Sequence, residues 1–224
     1  MTTAAQRKID GPRPTTLATG IILRDAAEMD LPAIVEIHNT AIASRISTAQ
    51  LEPVTVEGRR EWFHAHSPAQ YPIWVAELDG AIAGWLSFRE FLPRCAYRGT
   101  VEISVYVSKQ LQRRGVARKL LAEAVARGRQ LGMHSLVGLI FSNNEPSIAL
   151  FRAAGFERWG LLPAVARLDE TPCGPRVLIA APRRNALCRE SSRWPGHHRQ
   201  QPGAFAPQNR TTAHCPDSFG DLSH

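Results

Sequence analysis

An alternating strand that runs directly into a basic, glycine-containing helix start constrains this chain more than any other feature. Residues 100–107 alternate polar and apolar side chains, the period-2 pattern of a β-strand that buries one face. A helical pattern begins at Val116, and the turn before it contains Arg113, Arg114 and Gly115. Because several backbone N–H groups and the positive end of the helix dipole converge at such a turn, we expect it to favour a phosphate.

The turn by itself leaves two interpretations open. Gly115 permits close backbone approach, while Arg113, Arg114 and Arg118 can supply positive charge to a nucleotide cofactor. A basic helix cap needs the same residue types, and such helix starts are common. Neither the P-loop pattern nor the Rossmann pattern GxGxxG occurs in the chain, so those two classes of nucleotide site are excluded.

The other periodic segments predict a mixed α/β domain. Residues 73–78 and 81–88 are β-rich runs separated by Asp79 and Gly80, a strong signal for an antiparallel hairpin. Helical patterns precede the hairpin, and two more flank a buried strand at 135–141. The chain is therefore expected to pack helices against a β-sheet.

Composition divides the chain into three parts. With 224 residues, of which 44% are hydrophobic, the chain can bury one substantial core. Residues 1–20 lack periodicity and predict a flexible leader, whereas residues 21–180 predict the folded domain. Arg, Pro, Gln, His and Ser dominate residues 181–224, which predicts a disordered, low-complexity basic tail. Residues 175–182, at this boundary, are a weak candidate for a final strand.

Charge and cysteine spacing limit the classes of partner. The net charge of +7 suits the phosphates of a nucleotide cofactor, but the tail lacks the interleaved aromatics of nucleic-acid-binding segments, so nucleic acid is not the expected partner. The four cysteines lack the spacing of a zinc site, and we expect ordinary thiols and no metal. No apolar run suits a membrane span or a secretory signal, so the expected localisation is cytoplasmic, away from the membrane.

The order of motifs resembles the GNAT superfamily of N-acetyltransferases. The cofactor motif of that superfamily is Arg or Gln, two variable residues, Gly, one variable residue, then Gly or Ala, and here it stands as QRRGVA at 112–117. The likeness looks closest to the phosphinothricin N-acetyltransferase group, through AYRGTVEISVYV at 96–107, NEPS at 144–147 and LFRAAGF at 150–156. The resemblance implies a mixed, mostly antiparallel central sheet flanked by helices, with acetyl-CoA as co-substrate.

The resemblance also implies roles for individual residues. Main-chain groups of three strand residues would hold the pantetheine and the thioester: Val105, Tyr106 and Val107. The turn and the helix start would hold the pyrophosphate: Arg113, Arg114, Gly115, Val116, Ala117 and Arg118. Asn144 would reach the cofactor from the next loop, although an Asn before Pro146 more often stabilises a turn. Tyr97 would lie near the acceptor, although a Tyr entering a strand more often serves packing.

Glu102 is the candidate general base. Acetyl transfer needs a neutral amine, and a carboxylate on a strand beside the cofactor can accept its proton directly or through water. An alternating strand also carries charges that simply face solvent, so only the resemblance favours the catalytic role. Phe151 stands where many members of the superfamily have a Tyr as general acid, and phenylalanine cannot donate a proton.

The predicted function is direct transfer of an acetyl group from acetyl-CoA to the primary amine of a small amino-acid-like substrate, of the phosphinothricin or methionine-derivative type. Acetylation of a protein or peptide amine is one alternative. A non-catalytic acetyl-CoA sensor with a nucleic-acid-binding basic tail is another, suggested by Phe151 and by the charge of the tail. Dimers are common in the resembling group, so a homodimer is compatible with the sequence.

Overall fold

A mixed seven-stranded sheet forms the centre of the fold, in the order β1-β2-β3-β4-β5-β7-β6. The computed structural model describes residues 20–163, 165, 166, 168 and 177–182. Its strands are β1 (Ile22–Asp25), β2 (Ile73–Leu78), β3 (Ala81–Glu90), β4 (Thr100–Val107), β5 (Ser135–Phe141), β6 (Phe156–Leu162) and β7 (Val177–Pro182). Its α-helices are α1 (Leu31–Ser44), α2 (Val56–His64), α3 (Val116–Arg127) and α4 (Glu145–Ala153).

The hairpin between β2 and β3 turns where the sequence predicts it. Asp79 and Gly80 both have a positive φ, 55° and 79°, which is the backbone geometry of a two-residue hairpin turn whose twist matches the flanking strands. The two strands pair antiparallel, with Leu78 opposite Ala81 next to the turn. The prediction of an antiparallel hairpin here is confirmed.

Helices cover both faces of the sheet. Leu120 and Leu121 of α3 and Ile148 of α4 belong to the larger core cluster, which includes Phe88 of β3. Ile34 of α1 belongs to a second cluster on residues of β2 and β3. Burial of these apolar side chains is the main force that holds the helices to the sheet. The predicted fold class, a mostly antiparallel sheet flanked by helices, is confirmed.

The one parallel pair of neighbouring strands, β4 and β5, is joined only briefly. Residues 100–102 of β4 pair with residues 135–137 of β5, and the register ends there. From Gly138 onward β5 pairs instead with β7, antiparallel, and β7 also pairs with β6. The C-terminal half of β4 therefore pairs with β3 on one edge only, and a gap opens between β4 and β5.

The segment around residues 175–182, a weak candidate for a strand in the sequence, does supply β7 at Val177–Pro182. Of the predicted leader at 1–20 the structure describes only Gly20, and of the predicted tail at 181–224 it describes only the last two residues of β7.

The expectation of ordinary thiols is wrong for Cys95, which is disulfide-bonded. Among the helices that the structure describes, none combines the length and the hydrophobicity that a bilayer crossing requires.

Gly84 of β3 lies where β3, β4 and α3 approach one another closely. A Cβ atom placed there would be 2.7 Å from the carbonyl oxygen of Tyr106 and 3.0 Å from Val116 Cγ1. A backbone oxygen in a central sheet cannot move aside without disturbing the strand pair that holds it. The close approach of β3, β4 and α3 therefore depends on glycine at this position.

We predict that Gly84→Ala lowers the free energy of unfolding by about 1–3 kcal/mol through overpacking. Gly160→Ala in β6 is the matched control, because a Cβ there meets no atom within 4 Å. Its effect should be within about 0.5 kcal/mol of zero or slightly stabilising, since Gly weakens a strand interior. Urea unfolding of the three proteins measures both changes, and equal losses in the two variants would contradict the prediction.

Two histidines, His38 buried and His66 half-buried, lie between the sheet and helices α1 and α2. His38 of α1 is 4% exposed, and its Nε2 lies 3.3 Å from Gln50 Oε1. His66 follows α2, and its Nδ1 lies 2.7 Å from the Trp62 carbonyl oxygen. Burial lowers the pKa of both imidazoles, and the nearby charge of Arg59 lowers each further. Both histidines are therefore neutral in the folded protein at neutral pH.

This neutrality predicts a loss of stability in mild acid. The unfolded chain takes up protons at these histidines from about pH 6.5 downward, whereas the folded protein does so only at lower pH. Stability is fully present above that pH and falls below it, by at most about 1.4 kcal/mol per pH unit for each histidine. Urea unfolding between pH 7.5 and 5.5 should show a smaller fall for His38→Gln than for wild type; parallel curves would refute this.

Candidate active site

The gap between β4 and β5 is a small cleft of ≈ 40 Å³ that opens to solvent. It is closed at one end by the short parallel pairing of the two strands and at the side by α4. Its lining residues come from β4, β5, α4 and the loops beside them: Ser47, Ile103, Ser104, Val105, Tyr106, Gly138, Leu139, Ile140, Phe141, Asn144, Ser147 and Phe151.

The strand residues predicted to hold the pantetheine lie at or beside this cleft. Val105 and Tyr106 line it, whereas Val107 ends the strand opposite Gly84 of β3 and is not among the lining residues. Because β4 bonds to β3 on one edge and leaves β5 after Glu102, the backbone groups on its other edge face the gap. Such an edge can pair with an extended, amide-containing ligand much as it would with another strand.

The turn before α3 has the backbone geometry of an anion site. Arg113 has a φ of 65° and Gly115 a φ of 88°, so two left-handed residues bend the chain within three positions. The Lys119 N–H donates to the Gly115 carbonyl at 3.0 Å as an early bond of the helix. The N–H groups of the preceding helical residues have no acceptor within the helix, and the positive dipole end adds to their field.

The arginine side chains of this turn differ in whether they are free to bind an anion. Arg114 forms a salt bridge of 2.9 Å with Asp79 of the β2–β3 turn, so its charge is already shared. Arg113 and Arg118 are exposed, and neither forms a salt bridge with a described residue. These residues fit a pyrophosphate, because main-chain N–H groups can donate to it while the exposed side chains of Arg113 and Arg118 supply positive charge.

Asn144 has a structural position at the start of α4. Its Oδ1 accepts from the Ser147 N–H at 3.2 Å, and its Nδ2 donates to the Ile46 carbonyl at 2.9 Å. The side chain is 6% exposed. Asn144 therefore caps α4 and ties the loop after α1 to the cleft, as the turn interpretation of this residue expects. It also lines the cleft, and a contact between Asn144 and the cofactor stays a prediction.

Glu102 lies at the point where β4 and β5 separate. It is a buried carboxylate, paired across the sheet with Arg89 of β3. The Arg89 Nε and Nη2 atoms both donate to Glu102 Oε2, at 3.1 and 2.8 Å, and neither bond goes to Oε1. A charge-assisted bond of this kind favours one orientation of the carboxylate. The sequence analysis missed Arg89 because 13 residues separate it from Glu102 and only the strand register brings them together.

The polar face of β4 continues from Glu102 through Ser104 to Tyr106. Trp85 of β3 lies opposite Tyr106, with the ring centroids 4.6 Å apart, and Trp62 of α2 packs on Trp85 at 5.7 Å. This face therefore presents aromatic rings next to a carboxylate, which suits a small acceptor with an apolar part.

Tyr97, the predicted acceptor contact, and Phe151, which stands where many members of the superfamily have a general acid, lie in different parts of the fold. Tyr97 lies in a 3₁₀ turn between β3 and β4, is 39% exposed and is not among the residues that line the cleft. The Phe151 ring is buried against Gly138, where a Cβ would lie 2.5 Å from it, and packs edge-on against Phe156. Phe151 thus fills the cleft wall and offers no proton.

Within the described part of the chain, no group of three His, Cys, Asp or Glu side chains could hold a metal ion.

Comparison with known proteins agrees with the geometry of the cleft and of the turn before α3. The sequence profile of the acetyltransferase (GNAT) family matches residues 34–156. A Bacillus subtilis protein with the provisional name phosphinothricin acetyltransferase is 45% identical over 66% of this chain and 90% of its own length.

Two further relatives have informative names. The L-methionine sulfoximine/L-methionine sulfone acetyltransferase of Pseudomonas paraeruginosa is 38% identical over 65% of this chain and 85% of its own. A crystal structure of a GNAT superfamily phosphinothricin acetyltransferase from Sinorhizobium meliloti, in complex with acetyl-CoA, matches with a TM-score of 0.68. It is 30% identical, over 73% of this chain and 88% of its own. The chain therefore belongs to the acetyltransferase (GNAT) family and is an acetyl-CoA-dependent N-acyltransferase.

Proposed function

We propose that this protein transfers the acetyl group of acetyl-CoA directly to the primary amine of a small amino-acid-like acceptor, of the phosphinothricin or methionine-sulfone type. The observation that carries the proposal is the position of Glu102, a buried carboxylate at the point where β4 leaves β5 and the cleft begins. The names of the relatives, which refer to phosphinothricin and to methionine derivatives, support the acceptor class.

The cofactor is proposed to lie along the free edge of β4. Its pyrophosphate would meet the N–H groups at the start of α3, in the turn shaped by Arg113 and Gly115, with Arg118 beside it. Its pantetheine amides would pair with the main chain of Val105 and Val107. A main-chain N–H of this stretch would then polarise the thioester carbonyl and stabilise the oxyanion.

Glu102 would accept the proton that the amine must lose, directly or through one water molecule. The neutral amine attacks the thioester carbonyl, the new C–N bond forms, the C–S bond breaks, and CoA leaves. Arg89 orients Glu102 by its two bonds to Oε2, while Oε1 takes no bond from Arg89. Because Phe151 cannot protonate the departing sulfur, we expect CoA to leave as a thiolate and to be protonated by water; thiols of this kind ionise near pH 8.5.

The role of Glu102 predicts a defect confined to chemistry. Glu102→Gln should lower kcat by about 10²- to 10⁴-fold, the usual effect of removing a general base. The Kd for acetyl-CoA should stay within a few-fold of wild type. Glu90→Gln, at an exposed position at the end of β3, is the matched control and should leave kcat unchanged. The measurement is thiol release from acetyl-CoA with phosphinothricin, L-methionine sulfone and a lysine-containing peptide as acceptors.

These acceptors separate the proposal from its alternatives. Release that depends on the two small amines and not on the peptide supports the proposed function, and the reverse result assigns the protein to peptide acetylation. Acetyl-CoA binding without release to any acceptor would overturn the transferase role and favour a sensor. An unchanged kcat in Glu102→Gln would remove Glu102 from the mechanism.

The turn at Gly115 predicts a defect confined to cofactor binding. A side chain at a φ of 88° strains the backbone by about 1–2 kcal/mol and would crowd a bound phosphate. Gly115→Ala should therefore raise the Kd for acetyl-CoA by about 10-fold or more. Gly132→Ala is the matched control, because Gly132 has a φ of 75° beyond the other end of α3. Calorimetric titration with acetyl-CoA distinguishes them, and equal Kd values in both variants would contradict a phosphate site at Gly115.

A further inference from the structure

Arg59 of α2 is a half-buried cation whose charge has no carboxylate beside it. Its Cζ atom lies 3.8 Å from the centre of the Trp62 ring, and its Nε atom is buried without a hydrogen-bond partner. Within the described part of the chain it forms no salt bridge. Burial lowers the pKa of the guanidinium, yet an arginine side chain remains charged at any physiological pH. A desolvated charge of this kind is costly unless an anion joins it.

Neighbouring arginines on the same side of the fold show the contrast. Arg60, the next residue, is 55% exposed and lies 3.2 Å from Glu28. Arg89 uses its Nε and Nη2 atoms to bind Glu102. Arg24 binds both Asp30 and Glu77. Among the described residues, these more accessible arginines each have a carboxylate partner, whereas Arg59 has none.

Arg59 lies on the side of the sheet that carries Glu102 and Tyr106, which we call the acceptor side. The ring on which it lies, Trp62, packs on Trp85, and Trp85 packs on Tyr106 of β4. The Arg59 charge acts on the Tyr106 phenol, and the Glu102 charge acts on the same phenol. Tyr106 and Glu102 share one face of β4, because they are four positions apart and every second side chain of a strand points to the same face. A cation and the proposed base therefore flank one aromatic surface.

The other titratable groups facing Arg59 do not neutralise it. His38 and His66 both feel its charge and are neutral at pH 7, because burial and Arg59 lower the pKa of each. Burial also raises the pKa of Tyr106, so the phenol carries no negative charge. The surroundings of Arg59 are therefore positive, and a carboxylate is their natural complement.

We propose that Arg59 binds the carboxylate of the acceptor and so turns the amine of the same molecule towards Glu102. The inference rests on the proposed function, and it names the anionic group that the acceptor must carry. The planar guanidinium can bind a carboxylate through two parallel N–H bonds, which sets orientation as well as affinity. Arg89 is the less suitable partner, because the bonds to Glu102 already occupy one edge of its guanidinium.

The test compares L-methionine sulfone with its carboxamide, which keeps the amine and the side chain but lacks the carboxylate. Calorimetric titration of the CoA-bound protein gives the Kd of each ligand. Wild type should bind the acid at least 10-fold more tightly than the amide. Arg59→Met should weaken binding of the acid by about 10- to 100-fold and leave the amide unchanged, the expected effect of losing a charge-assisted pair. Arg60→Met, the adjacent surface variant, should behave as wild type.

Arg59→Lys keeps the charge but loses the two-pronged geometry, so its preference for the acid should lie between wild type and Arg59→Met. This variant also keeps the experiment decisive if Arg59→Met fails to fold. Equal weakening of acid and amide in the Arg59 variants would assign Arg59 to packing on Trp62 and overturn the inference. No preference for the acid in wild type would overturn it as well.

Acetyl transfer is measured on the same proteins with the same two ligands, so that the two proposals fail separately. Tight, Arg59-dependent binding of the acid without acetylation would support the carboxylate site while contradicting the proposed function. Acetylation of both ligands with equal KM in wild type and Arg59→Met would support the proposed function while contradicting the carboxylate site.

Discussion

The fold of this protein depends on the early separation of β4 from β5. Two parallel strands in one sheet normally pair along their length, but here the pairing ends after three residue pairs and β7 takes over the edge of β5. The unpaired edge of β4 must find hydrogen-bond partners elsewhere, because buried backbone groups are costly when they have none. An extended ligand with amide groups can satisfy that edge, and the acetyl-CoA of this family has such groups in its pantetheine arm.

The separation also positions the other parts of the site. The last paired residue of β4 is Glu102, so the proposed base stands at the closed end of the cleft. The open end of β4 leads through a short turn to Gly115 and the start of α3, where main-chain donors are available. The proposed base, the proposed thioester contact and the proposed phosphate turn therefore follow one another along a single strand and the turn after it. Gly84 allows β3, β4 and α3 to approach closely at this strand.

Charge is distributed unevenly over the acceptor side. Arg89 forms a salt bridge with Glu102 and so favours one orientation of its carboxylate. Arg59 has no such partner among the described residues and lies on Trp62, in contact with the same aromatic surface. An acceptor with one amine and one carboxylate would place the amine near Glu102 and the carboxylate on Arg59. A simple alkyl amine would have a group for Glu102 only. In the proposed arrangement, electrostatic complementarity selects the acceptor separately from the chemistry of transfer.

Local patterns in the sequence predicted the parts that depend on neighbours along the chain. The Asp79-Gly80 hairpin, the alternating strand at 100–107 and the Gly115 turn follow from backbone geometry and side-chain period, and the structure contains each of them. The motif order led to the family, which the comparisons confirm. The catalytic role of Glu102 and the binding roles of the cofactor residues remain predictions.

Only the tertiary structure decided which distant residues meet. The insertion of β7 between β5 and β6, the bond from Arg89 to Glu102 and the unpaired charge of Arg59 depend on strand register and helix packing, which no local pattern specifies. The sequence determined where the chain turns and which faces are polar, because these depend on a few adjacent residues. The site itself required the fold, because its charges are partnered or left free by residues far apart in the chain.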